Sequence, residues 1–146
     1  YGWLELGNVE EAFAELQRLP EELQLLPAVQ AVRLDCLMAA KDWNAAVKLA
    51  QVLCGQWAEE PGLWLHHAYA ARRCAGGSIE AAYELLAPCV ERFPEEWLIP
   101  YNVACYLCQM ERLDEARAML EMARSKGGER VDTMAKDDED LAPLNL

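Results

Sequence analysis

If this chain performs chemistry, a short set of side chains has to supply it. The first is Cys105-Tyr106-Leu107-Cys108, a Cys-x-x-Cys pair of the kind that forms redox couples or half of a zinc site. A redox pair works from a helix start beside strands, where the helix dipole lowers one thiol pKa. Here the pair lies well inside an apolar helical stretch, and no run of alternating β-branched residues is long enough to read as a strand. A second Cys or His pair at ligand spacing is missing, and the adjacent His66 and His67 project about 100° apart on a helix. Cys36, Cys54, Cys74 and Cys89 also sit in apolar helical stretches. The pattern predicts reduced thiols packed as small hydrophobes in a cytoplasmic protein, not a disulfide scaffold.

The acidic run Asp137-Asp138-Glu139-Asp140 invites a calcium reading. It lacks the alternate-residue spacing, central glycine and distal glutamate of such loops. Its expected role is in a capping segment: Val131 to Ala135 continue a last helix, and Leu141, Pro143 and Leu144 fold back over its open face. No Ser/His/Asp or Cys/His constellation offers a nucleophile. Gly76-Gly77 and Gly127-Gly128 read as helix punctuation and not as a phosphate loop. The expectation is a chain that is not an enzyme, with no cofactor and no metal.

Net charge is −12, and its distribution is informative. Residues 1–60 contribute −6, residues 61–126 only −2, and residues 127–146 the remaining −4. So acidic a chain repels phosphate backbones, which argues against nucleic acid as a partner. No apolar run approaches the ~18–20 residues that would cross a bilayer. The near-neutral middle carries most of the arginines, Arg72 and Arg73 among them.

The elements that position these residues follow from a period. Ala12, Ala46, Ala82 and Ala116 fall 34, 36 and 34 residues apart. Each stands about four residues after a helix start, where a small side chain lets a neighbouring helix approach. Asn8, Asp42 and Ser78 are N-caps, with Asn8 and Glu11 spaced as a capping box; Arg112 breaks the rule in the fourth copy. Apolar helical stretches run over about 28–40, 61–75 and 97–110 before the caps, and over about 8–18, 43–57, 79–92 and 113–125 after them. Pro20, Pro27, Pro61 and Pro94 punctuate between them, Pro100 falls in a first turn, and Pro88 should kink or shorten its helix. The fold class is all-α.

The pattern resembles the tetratricopeptide repeat. The fourth copy carries it best: Tyr101-Asn102-Val103-Ala104-Cys105-Tyr106, then Leu113-Asp114-Glu115-Ala116, then Leu120 and Ala123. The third copy follows with Trp64, Ala68, Ala82 and Cys89 and a turn two residues longer; the second has Leu34 and Leu53 where the repeat favours small residues. The first keeps only Trp3-Leu4-Glu5-Leu6 of its leading helix, from which a short missing N-terminal piece is expected. Over almost its whole length the chain is also similar to small bacterial proteins of this repeat class, a likeness that implies a fold and carries no activity. The resemblance implies one domain over 1–146. It would be a right-handed α-solenoid of helix pairs: a truncated repeat 1–19, repeats 20–58, 61–93 and 95–126, and a capping segment 127–146.

In such arrays the first helix of each pair lines a concave groove, and helical spacing then selects its residues. In the second copy these are Ala31, Asp35, Met38 and Ala39; in the third, Leu65, His66, Tyr69, Arg72 and Arg73; in the fourth, Tyr101, Asn102, Cys105 and Gln109. Tyrosines give broad contact area with a polar tip, and arginines bind carboxylates bidentately. A register slipped by one would instead place Tyr69 and Tyr101 in the core between repeats. The implied function is a protein-interaction module that takes a partner segment in this groove, as a monomer or a weak homo-oligomer through its repeat ends. Two alternatives share the architecture: a dedicated chaperone similar to those of bacterial type III secretion, and a self-assembling structural element. The Lys/Asn clamp of co-chaperones in this repeat class is matched only at Asn102, so that activity is not implied.

Overall fold

The computed structural model describes residues 8–146; the Trp3–Leu6 stretch assigned to a leading helix lies outside them. The described residues form ten α-helices and one 3-10 helix, with no strand among them. In chain order they are α1 (Val9–Gln17), α2 (Glu21–Gln24), α3 (Pro27–Ala39), α4 (Trp43–Gln56) and α5 (Pro61–Arg73). Then come α6 (Ile79–Leu86), α7 (Cys89–Arg92), α8 (Leu98–Gln109), α9 (Leu113–Gly127), α10 (Glu129–Lys136) and the 3-10 helix η1 (Glu139–Leu144). Among the described residues no helix is long and apolar enough to cross a membrane.

Local chemistry sets the helix starts. The side-chain oxygens of Asn8, Asp42 and Ser78 accept the backbone N–H groups of Glu11, Ala45 and Ala81 at 3.1, 3.3 and 3.0 Å. Each thereby satisfies an amide that has no partner inside its helix. Arg112 makes no such cap; its guanidinium bonds Glu115 at 3.0 and 2.6 Å and lies 5.1 Å over the Tyr83 ring. Pro88 divides what the periodicity joins, because it cannot donate to a helical ladder: α6 stops at Leu86 and α7 starts at Cys89.

The ends of α3 and α8 share one solution. Lys41 and Glu111 adopt φ of 59° and 62°, and the following Asp42 and Arg112 donate back to Leu37 and Leu107 at 3.0 and 2.9 Å. These are Schellman closures built on non-glycine residues.

Packing runs between neighbours in the chain. α3 contacts α4, α4 contacts α5 and α5 contacts α6; α6 and α8 meet across α7, α8 packs on α9, and η1 lies on α8 and α9. Ala12, Ala46, Ala82 and Ala116 are all buried, as are Leu34 and Leu53. The core is drawn out into three clusters: Ala12, Leu16 and Cys36 at one end, a middle group around Leu34, Ala50 and Leu53, and a large third group spanning α5 to η1. Dividing the core into separate clusters along the chain, the last by far the largest, follows from helices that contact chiefly their sequence neighbours.

Candidate functional site

Tyr101, Cys105 and Gln109 stand four residues apart on α8 and therefore share a face. That face is covered by η1 of the same chain. The Tyr101 hydroxyl, on a side chain only 1% exposed, donates to Asp138 Oδ2 at 2.7 Å. The Cys105 thiol donates to the same oxygen at 3.7 Å, and Gln109 Nε2 donates to the Asp140 carbonyl at 3.0 Å. From the last turn of α5, Arg72 grips the Asp140 carboxylate bidentately at 2.7 and 3.0 Å. Leu141 and Leu144 are buried in the third core cluster beneath them. Asp138 Oδ1 accepts the Asp140 N–H at 3.0 Å and so sets the turn that presents both carboxylates.

The protonation states follow from this arrangement. Hydrogen bonding to Arg72 holds the Asp140 carboxyl below its ordinary range against the cost of burial. Burial, reinforced by Asp138, pushes the Cys105 thiol and the Tyr101 phenol far up. A thiol held protonated is the opposite of what a redox or nucleophilic cysteine needs. Cys105, Asp138 and Asp140 do place three possible ligand atoms within 4.8 Å of one another. All three already have partners, and the Arg72 cation in contact with Asp140 opposes a second cation there. Asn102 is also spent locally, its Nδ2 donating to the Leu98 carbonyl at 2.8 Å.

The remaining residues lie between α3 and α5, which flank two open clefts. The first, of about 390 Å³, is lined by Pro27, Ala31, Asp35, Trp57, Leu63 and His66 among others, with His66 Nε2 3.4 Å from Asp35 Oδ1. The second, of about 640 Å³, is lined by Met38, Ala39, Lys41, Trp43, Tyr69 and Arg73. Here the Arg73 guanidinium stacks 3.4 Å from the Tyr69 ring centroid, and Trp43 packs against Tyr69 at 5.6 Å between centroids. Tyr69 is 40% exposed, with these two neighbours against its ring.

The nine residues assigned to one groove thus divide. Arg72, Tyr101, Cys105 and Gln109 hold the chain's own acidic segment; Asp35 and His66 line one open cleft, Tyr69 and Arg73 the other; Asn102 serves its own helix. Sequence reasoning passed over Lys41 and Trp43 as lining residues, although both flank a helix boundary that it marked. It also placed Asp138 and Asp140 in a cap without assigning them partners. No protein-family model matches the chain, and no curated protein matches it.

Proposed function

We propose that the chain is a non-catalytic, cytoplasmic protein-interaction module: a right-handed array of tetratricopeptide-like helix pairs that takes a partner segment along α3, α5 and α8. The buried alanines at near-constant spacing and the serial packing support the array. One observation carries the functional reading. Side chains expected to receive a partner segment already hold a stretch of acidic polypeptide, through bonds to its carboxylates and its backbone. Beside it, the clefts between α3 and α5 stay open, one with two cations and two aromatic rings at hand. Recognition of a flexible segment on such a preformed surface is of the exchangeable, micromolar kind, because the ligand gives up conformational entropy on binding.

The test uses Arg73, since changing Arg72 would also break its contact with Asp140. Affinity capture from source-cell lysate with Arg73→Glu as bait loses a partner that the wild type retains, while the far-UV helical signal stays unchanged. Equal capture by both baits sinks the cleft assignment. Self-assembly is the second reading, favoured by Leu25 at 73% exposure beside the exposed Leu23 and Leu26. Light scattering across a concentration range decides it, and a strict monomer removes it.

A further inference from the structure

Residues 138–144 are bound more specifically than a hydrophobic cap requires. Covering an apolar helix face needs only Leu141 and Leu144, both buried. The body of the protein adds a phenol, a thiol, a guanidinium and a side-chain amide, all donors, and all aimed at Asp138 or Asp140. A converging set of donors in a chain of net charge −12 is the inverse of the surrounding electrostatics. It is a cradle shaped for carboxylates.

We propose, on the reading given above, that this seat recognises partner segments of the pattern Asp-x-Asp-Leu-x-x-Leu, and that residues 138–144 are its resident competitor. The pattern is read from the contacts. The first aspartate meets Tyr101 and Cys105, the second meets Arg72, and the two leucines fill the apolar floor. The Arg72–Asp140 pair stands at the rim, with the two side chains 20% and 30% exposed, so an incoming carboxylate reaches the guanidinium from solvent. The principal helix contacts of η1 are with α8 and α9, and only two residues, Asp137 and Asp138, separate it from α10. It can lift away while α10 keeps Val131 and Ala135 in the core. Departure leaves polar donors and an apolar trough, and only a segment that offers both carboxylates and leucines replaces what was lost. Because the resident segment is tethered, it acts at an effective concentration on the order of 1 mM. An outside segment of micromolar intrinsic affinity is therefore held off until the tether's contacts weaken.

The probe is a fluorescein-labelled synthetic copy of residues 137–146, titrated against the full chain and followed by anisotropy. The variant Asp138→Ala with Asp140→Ala loosens the resident segment and keeps its leucines. It binds the probe at least about tenfold more tightly than the wild type does, as relief from a tethered competitor requires. Adding Arg72→Glu to that variant abolishes the gain, and a probe with its copies of Asp138 and Asp140 changed to lysine does not bind. Equal probe binding by the wild type and the folded double variant overturns the proposal. If the double variant fails to fold, hydrogen exchange on the wild type decides. The Leu141 amide, bonded to the Asp138 carbonyl at 3.1 Å, exchanges well before those of Val103 to Leu107 in a displaceable segment. Protection equal to theirs makes η1 a permanent buttress and ends the proposal. Neither result touches the Arg73→Glu capture, so failure of the competitor and failure of the interaction module are told apart.

Discussion

His67 is the one buried polar side chain among the described residues whose Nδ1 lacks a hydrogen-bond partner. It is 8% exposed on α5, with the Trp64 ring 6.4 Å away between centroids. Burial lowers its pKa from the ordinary 6.5, because an imidazolium there would lose its hydration. The sign follows from linkage. Below 6.5 the unfolded chain takes up a proton that the folded one refuses, so stability falls with falling pH until the depressed folded pKa is reached. Denaturant unfolding near pH 5.5 should accordingly give a lower stability than near pH 7.5, and His67→Leu should remove the part due to this ring. The variant should also be more stable at neutral pH, since an unsatisfied buried polar group costs about 1–3 kcal/mol. An unchanged pH dependence in His67→Leu would show that the ring is not the sensor. Asp140 acts lower in the pH range. Its carboxyl is depressed by Arg72, so its contribution is complete above 3.8 and is lost as pH falls through the folded value.

At the scale of the elements, the turns carry conformations their residues do not favour. Glu111 closes α8 at φ 62°, where a side chain with a Cβ costs roughly 1–2 kcal/mol relative to glycine. Part of that is offset in Glu111→Gly by the freer unfolded chain, leaving a gain of about 0.5–1 kcal/mol. For a chain of this size the melting temperature should then rise by about 1.5–3 °C. Gly77 behaves in the opposite way. A Cβ built there would lie 2.2 Å from the Ala71 carbonyl oxygen and 2.9 Å from that of Cys74, so Gly77→Ala must open the α5–α6 turn. Its thermal melt should shift downward, and equal stability would mean that the turn relaxes freely. These turns also mark how far the sequence could be read. Helix starts at Val9, Trp43 and Ile79 were legible because a cap acts over three residues. The four-residue α2 was not, being too short to display a 3.6-residue period. Spacing likewise put Tyr101, Cys105 and Gln109 on one face. Their bonds to Asp138 and Asp140 span 31 to 37 positions, and that of Arg72 spans 68, so no local pattern could announce them.

For the whole molecule, the decisive quantity is how unevenly the core is shared. Among the described residues the first cluster contains Ala12, Leu16 and Cys36, and the middle one adds five buried residues. The third gathers α8, α9, α10 and η1 around fully buried residues such as Tyr101, Ile99 and Leu107. Apolar burial contributes about 25 cal/mol per Å², so a helix with little buried area opens at lower cost than one enclosed on all sides. Serial packing sharpens this, because a terminal unit can detach without disturbing units it does not touch. Native-state hydrogen exchange should therefore rank the helices, with amides of α1 and α3 exchanging through small local openings and those of α8 only through global unfolding. Uniform protection from α1 to α8 would contradict the ranking and mean one cooperative core. The gradient bears on binding as well. The clefts at Asp35, His66, Tyr69 and Arg73 have the weakly held α3 as one wall and α5, tied into the large cluster through Ala68, as the other. A ligand entering there closes a soft wall onto a firm one, so its binding should slow exchange in α3 far more than in α8.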